Sequence, residues 1–554
     1  MGRLKKLGKW LLYVFAGLVV ILLCGFGYLV YVSKTDDPAI TNTSFANKNR
    51  TEHPDGLYTL GNNWFRHSNS GLYELYVEGN AFERGIAHGK LAKELVVAQE
   101  DYFYEQITKM IPSQKYLHFL KYVIGWFNRN LDKNVINEYR QEIYGVSRAA
   151  SDSFDFVGSK YQRILNYHAA HDIGHALQNL ALVGCTSFGT WGAASEDSSL
   201  IIGRNFDFYV GDNFAKNKIV LFEKPDSGYK FMSVTWAGFI GVVSGMNEKG
   251  LTVTINAAKT GIPSGSATPV SLVAREILQY AANIREATEI AKRRTMFVSE
   301  SFLVGSAADN KAVIIEKTPD TLDVYDPQSD KIVCANHFQS PGLKGSDLNV
   351  VQVQQSASPY RYERLQQLMA EKGVNSVRKT AEILRDRKGL QDADIGMGNE
   401  KALNQLIAHH AVIFEPQQLR VWVSTAPWQL GAFEAYDLKK VFALELTTNQ
   451  EIRDAALTIA PDSFLLSADY KRFEKFRELK KELSEGKALD PDSLVLLNPQ
   501  FYHSYVLAGD YCFKRQQWEA ALQYYQQALT KEIATLPEKE YIQKQIEAIG
   551  TKKN

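Results

Sequence analysis

Gly184 and Cys185 sit in "LALVGCTSFGTWGAASEDSSLIIGRNFDFYVG", residues 180–211, ahead of two β-like runs, the second ending in Arg204-Asn205-Phe206-Asp207. A thiol that attacks a carbonyl needs a base, a site for the oxyanion and groups that orient it. A cysteine that becomes an N-terminus brings its own base, because an α-amine titrates near ~7.7–8 and is partly neutral at working pH, unlike a lysine amine. A small residue before it lets the sulfur reach the preceding carbonyl for an N-to-S acyl shift, and Gly184 meets that need. The competing reading of a lone cysteine is a small buried hydrophobe.

A second constellation is "YHAAHDIGH", which places His168, His171, Asp172 and His175 within about two helical turns. His171 and His175 are an i, i+4 pair that could chelate a metal on one helix face. They lack the glutamate of an HExxH pattern and an obvious third ligand, so packing against the Cys185 stretch, or lining its entrance, is the preferred reading. His409 and His410 could serve a Cys-His pair.

These groups must be positioned by a chain of 554 residues, long enough for two folded units, with 45% hydrophobic residues and a net charge of +1. That balance gives no reason to expect a nucleic-acid partner. The four cysteines, Cys24, Cys185, Cys334 and Cys512, are scattered without a CxxC pair, which favours neither a zinc ribbon nor a disulfide framework. Residues 1–32 hold a basic tip and an uncharged run, Trp10 to Val32, long enough to cross a bilayer. Arg3, Lys5, Lys6 and Lys9 precede the run, so the positive-inside rule predicts a cytoplasmic N-terminus and an exported body, periplasmic, extracellular or lumenal. A cleaved signal peptide is the alternative. Residues 33–56 read as a polar linker.

"GLYELYVEG" alternates as a strand should, and helical spacing dominates from "AFERGIAHGKLAKELVVAQEDYFYEQI" to about Ala181. Beyond Cys185 strands and tight turns take over: "GVVSGMNEKGLTVTINA" reads as two strands joined around Asn247–Gly250, and "VSLVAREILQYAANIREATEIAKR" as a helix. Further strands, "SFLVGSAADNKAVIIEKTPDTLDVYD", "KIVCANHF" and "HAVIFEPQQLRVWVS", are bracketed by helices, which suggests an α+β layered fold. Residues 446–554 are helical, and Leu507–Leu529 fits one tetratricopeptide-like repeat with Gly509, Ala521, Tyr525 and Ala528 at its small and aromatic positions.

"GCTSF" and "GRNFDF" together resemble the N-terminal nucleophile hydrolases of the choloylglycine hydrolase, acid ceramidase and isopenicillin N acyltransferase (acyl-CoA:6-aminopenicillanic acid acyltransferase) superfamily. The resemblance continues through "GMNEKGLTVTIN", "KIVCANHF" and "SPYRYERL", and upstream through "VEGNAFERGIAHGKL", over roughly residues 57–445. It implies an αββα sandwich, with residues 57–184 as a largely helical pro-part and 185–445 as the catalytic part. It also implies site roles: Cys185 as nucleophile, Arg204 steering thiol or substrate, Asp207 bonding the new α-amine, and Asn256 donating to the oxyanion. Asn336 is then a second pocket carboxamide, and Arg361, with Arg364 as runner-up, the later arginine. Residues i and i+3 of a strand face opposite ways, so the Arg204–Asp207 spacing predicts a local distortion.

The expected function is a membrane-anchored, self-cleaving cysteine amidohydrolase or acyltransferase that needs no metal or organic cofactor. Its substrate would be a small amide with an apolar acyl group: an N-acyl amino acid, an N-acyl amine, or a conjugated bile-acid-like or β-lactam-type molecule. The alternatives are an inactive exported interaction protein, whose tetratricopeptide-like C-terminal helices bind a protein partner, and a metal hydrolase using His168, His171 and His175.

Overall fold

The computed structural model describes residues 2–111, 113–177, 184–209, 211–261, 263, 265–446 and 448–553. Two sheets carry the body, one of eleven strands and one of six. The strand Leu251–Ala257 shows how sequence alternation builds the layers. Leu251, Val253 and Ile255 pack with Val270, Val273 and Ile277 of the covering helix Val270–Tyr280. Thr252, Thr254 and Asn256 alternate to the other face, where the Asn256 side chain meets Ser187 of the six-stranded sheet. Between the sheets lies an apolar core that includes Trp64, Phe222, Leu303, Ile202, Phe414 and Val423. The outer face of the smaller sheet is covered by the helices Ser358–Glu371 and Val377–Leu384, through Leu365, Leu368 and Ile383. The result is a mixed fold of two stacked sheets with helices on both outer faces.

The part before Cys185 is less purely helical than its patterning predicts. It supplies four strands, Thr51–Glu52, Tyr58–Leu60, Asn63–His67 and Tyr73–Gly79, to the eleven-stranded sheet. The last of these pairs in parallel with Ile219–Pro225, from beyond Cys185. A buried ion network joins the same two parts. Arg84 bonds Glu142 at 2.7 Å and Glu223 at 2.7 Å, and Arg275 bonds Glu142 at 2.9 Å and also Glu223. Removing one partner from such a network strands a charge in the interior, so it binds the two parts of the chain together whether or not the peptide between them is intact.

Two helical runs are broken where the sequence read as continuous. The run from Ala81 divides into Ala81–Leu91 and Lys93–Met110. The run from Val270 divides at Asn283, whose side chain caps Ile284–Arg293 by accepting from Glu286 N–H, while Glu286 accepts from Ala282 N–H. The pair is a variant of the capping box in which the glutamate reaches the N–H of the residue before the cap.

The N-terminal helix Gly2–Val32 contains the one segment among the described residues long and apolar enough to cross a membrane, Lys6–Val32, with a mean hydropathy of 2.4. Its end packs on the helix Gln114–Phe127, with Phe26 edge-on to Tyr122 at 5.2 Å. Tyr116, Phe119 and Ile124 of that second helix are exposed. At the other end of the chain, the helices Tyr502–Lys514 and Trp518–Ala528 pack closely: a Cβ on Gly509 would lie 2.7 Å from the Tyr525 ring, and Ala521, Tyr525 and Ala528 are buried.

Candidate active site around Cys185

Cys185 immediately precedes the strand Thr186–Thr190, which lies between Lys331–Cys334 and Ile201–Phe206 in the six-stranded sheet. The ladder pairs Thr186 with Asn205 and Ser187 with Arg204, and Gly184 N–H donates to the Asp207 carbonyl at 3.0 Å, two steps beyond in the same register. Alternation therefore sets Cys185 and Ser187 on the face of Arg204 and Phe206, towards the other sheet, and Thr186 and Asn205 on the helix-covered face. There the Asn205 amide donates to Leu384 and Leu403 carbonyls at 2.9 Å each.

Arg204 is fully buried. Its guanidinium donates to the Val243 carbonyl at 2.6 Å, to Ser244 Oγ and to the Ile255 carbonyl, and Nη2 lies 3.6 Å from Cys185 Sγ. It also stacks over the Phe206 ring at 4.4 Å. Cys185 is only 1% exposed, beside Phe206, Phe214 and Trp236 in one apolar cluster. Burial pushes its thiol up to about 11, against the pull of Arg204. With the chain uncleaved, the sulfur is therefore a neutral thiol at physiological pH.

The expected distortion between Arg204 and Asp207 is not seen. The strand ends at Phe206, but the Gly184–Asp207 bond keeps the register of the Thr186–Asn205 pair, so alternation sets Asp207 on the face opposite Arg204. Both Asp207 carboxylate oxygens are buried and have no hydrogen-bond partner among the described residues. Burial pushes its carboxyl up to about 7, and the charges of Arg361 and Arg204 pull the other way. In the unfolded chain an aspartate titrates near ~3.9. The stability tied to a protonated Asp207 is thus fully present below about 4 and lost as pH rises through about 7. In a Cys185→Ala background, which keeps the chain intact, adding Asp207→Asn should raise stability at pH 8 relative to pH 4 by on the order of 2–4 kcal/mol. Urea midpoints across pH test this, and parallel curves for the two proteins would contradict it.

The two carboxamides lie close by. Asn256 donates to the Cys334 carbonyl at 3.1 Å and accepts from Ser187 Oγ at 2.9 Å, two residues from the thiol. Asn336 donates to the Ala257 carbonyl at 2.9 Å and accepts from Arg361 at 2.6 Å. Arg361 also donates to Thr186 Oγ1 at 3.2 Å and to the Glu400 carbonyl at 2.8 Å. Arg364, one turn on, instead pairs with Asp386 and Asp392 at 2.9 and 2.6 Å. Cys185, Arg204, Asp207, Asn256, Asn336 and Arg361 thus lie around one short stretch of chain, and Arg364 serves a separate ion cluster.

The histidines divide differently. His168 is buried, with Nδ1 on the Ile164 carbonyl at 2.8 Å and Nε2 accepting from Ile240 N–H at 3.0 Å, so neither ring nitrogen is open to a metal. The His171 and His175 side chains lie outside the described residues. Among the described residues no group of three or more histidine, cysteine, aspartate or glutamate side chains is arranged to hold a metal ion. His409 and His410 are buried and bonded to each other at 2.9 Å, and His410 shares Ser244 Oγ with Arg204. His410 thus braces the serine that Arg204 also uses, while His409 Nε2 is buried without a hydrogen-bond partner among the described residues.

Three polar groups at the site were not singled out in the sequence. Ser187 is legible in retrospect, because strand alternation puts it on the face of Cys185. Glu300, paired across the sheet with Ala257, is buried with no hydrogen-bond partner for either oxygen among the described residues. Burial raises its carboxyl well above the ordinary range. Gln405 donates its side-chain amide to the Gly184 carbonyl at 2.8 Å. It precedes the strand His410–Glu415 and has no local pattern that marks it.

Residues 194–426 match the profile of a family described as Acyl-coenzyme A:6-aminopenicillanic acid acyl-transferase. By this match, and by the amidase relative below, the chain is similar to members of the N-terminal nucleophile hydrolase superfamily. Within that superfamily the similarity is to the acyltransferase family just named, and Cys185 lies shortly before the matched region. Among relatives, an uncharacterized protein of Archaeoglobus fulgidus is 24% identical over 65% of this chain and 65% of its own. The Dictyostelium discoideum protein dcd1B is 24% identical over 46% of this chain and 52% of its own. The chain thus spans between half and two thirds of the length of these two. The N-acylethanolamine-hydrolyzing acid amidase of Caenorhabditis elegans is 23% identical over 45% of this chain and 70% of its own. Among solved structures, conjugated bile acid hydrolase from Clostridium perfringens aligns with a TM-score of 0.31 at 13% identity, over 46% of this chain and 93% of that one.

Proposed function

We propose that this chain is a cysteine amidohydrolase or acyltransferase activated by scission of its own Gly184–Cys185 bond. The observation that carries the reading is the orphaned, buried Asp207 carboxylate, whose main chain is already bonded to Gly184 beside the Cys185 nitrogen. Scission turns that nitrogen into an α-amine, which supplies the carboxylate with a partner and the sulfur with a base. Cys185 then attacks an amide carbonyl, the α-amine accepts and returns the proton, and Arg204 steers the sulfur. Asn256, released from its present partners and aided by a backbone N–H, holds the oxyanion. Arg361 and Asn336 fix the pocket wall, and water or an acceptor amine takes the acyl group.

The substrate class is a linear amide with an apolar acyl chain. Supporting this is the apolar cluster that Cys185 shares with Phe206, Phe214 and Trp236. The amidase relative, named for N-acylethanolamines, favours N-acyl amines over N-acyl amino acids, bile-acid conjugates or β-lactams. The N-terminal helix is proposed to anchor the enzyme, with its catalytic body outside the cytoplasm. The test is a rapid-quench reaction of the cleaved protein with a long-chain N-acylethanolamine, followed by peptide mapping. An acyl thioester on Cys185 is expected; acid release with the acyl group elsewhere, or with none bound, contradicts the reading.

A further inference from the structure

We infer that Gln405 is the oxyanion donor for self-cleavage, distinct from Asn256, which serves the later substrate; this rests on the proposed activation at Cys185. Gln405 is buried, and its Nε2 donates to the carbonyl that scission must break, at 2.8 Å. The fit is close on both sides: a Cβ on Gly184 would lie 2.4 Å from Gln405 Nε2 and 2.7 Å from Oε1. Glycine at position 184 therefore admits the amide as well as the thiol. On the other side of the residue, Gly184 N–H donates to the Asp207 carbonyl at 3.0 Å, which ties the residue before the scissile bond to the neighbouring strand. Asn256, by contrast, is bonded to Ser187 and Cys334 and has no bond to that carbonyl.

The segment that presents Gln405 is braced by the C-terminal helical region. Asn399 donates to the Glu532 carbonyl at 2.9 Å, and Lys401 pairs with Glu532 at 2.5 Å. Asn498 accepts from Met397 N–H at 3.1 Å and donates to the Met397 carbonyl at 2.8 Å. Gly396, at φ +81°, lies against the Phe501 backbone so closely that a Cβ would be 2.3 Å from its nitrogen. A preorganised donor of this kind is held before charge develops, so no reorganisation is required during reaction.

In the step itself, Cys185 Sγ bonds to the Gly184 carbonyl carbon and the carbonyl electrons move onto oxygen, where the Gln405 N–H meets them. The carbon–nitrogen bond to Cys185 then breaks. The nitrogen keeps that electron pair and takes the proton lost by the thiol, leaving an α-amine and a Gly184 thioester. One water hydrolyses the thioester, releasing the Gly184 carboxylate and regenerating the thiol.

The test follows scission of purified full-length protein on denaturing gels for wild type, Gln405→Ala and Gln405→Glu. Both variants should cleave about 10²–10³-fold more slowly at neutral pH. Gln405→Glu should recover at acid pH, where a protonated carboxyl can donate, whereas Gln405→Ala should not; a merely structural role gives no such rescue. A wild-type chain that stays intact overturns the activation reading and this inference with it. Cleaved wild type with both variants cleaving at its rate, or with Glu as slow as Ala at every pH, overturns the inference alone.

Discussion

Replacing Cys185 with alanine is expected to leave a full-length chain that neither cleaves itself nor hydrolyses amides, with turnover down at least about 10⁴-fold. The loss should not come from unfolding. Arg204 keeps its bonds to Val243, Ser244 and Ile255 when the sulfur is gone, and the deleted atom is small, so stability should change by no more than about 1–2 kcal/mol. A thermal unfolding scan beside the gel and the amide assay separates the two causes. An intact variant that still released acid would move the chemistry elsewhere; both ring nitrogens of His168 and of His410 are engaged within the core, whereas His409 Nε2 is buried without a hydrogen-bond partner among the described residues.

The second large effect is expected at Asn256. If its carboxamide holds the oxyanion of the substrate, Asn256→Ala should lower kcat by about 10²–10³-fold and change KM little, because the interaction strengthens only as charge develops. Scission should continue in this variant, since the Gly184 carbonyl is bonded to Gln405 and not to Asn256. A variant that cleaves itself but barely turns over is the expected phenotype. A rise in KM with kcat intact would make Asn256 a ground-state binding group instead.

What could be read from the sequence follows from how locally each feature is encoded. The strand Leu251–Ala257 alternates cleanly, so the face carrying Asn256 is written in seven residues. The strands before Tyr73 are only two to five residues long and separated by turns, too short for alternation to register. The break at Asn283 was legible as a capping box, but the apolar spacing on either side ran through it. Arg361 and Arg364 share a helix and are both buried, and only their partners, Asn336 in one case and Asp386 in the other, tell them apart. The distortion expected between Arg204 and Asp207 failed because no face requirement forced it: the two residues serve opposite faces of one register, Arg204 towards Cys185 and Asp207 on the side of Thr186. Gln405 is the limiting case. It is separated by 221 residues from the carbonyl it touches, and the segment just before it is braced by Asn498 and Glu532, which connect helices at the end of the chain.

The most direct measurement is N-terminal sequencing, with intact mass, of the purified active protein. The predicted result is a chain that begins at Cys185, co-purifying with the part that precedes it because a shared sheet and the Arg84–Glu223–Arg275 network hold the two together. A single uncleaved chain that turns over amides at full rate is the result that would contradict it.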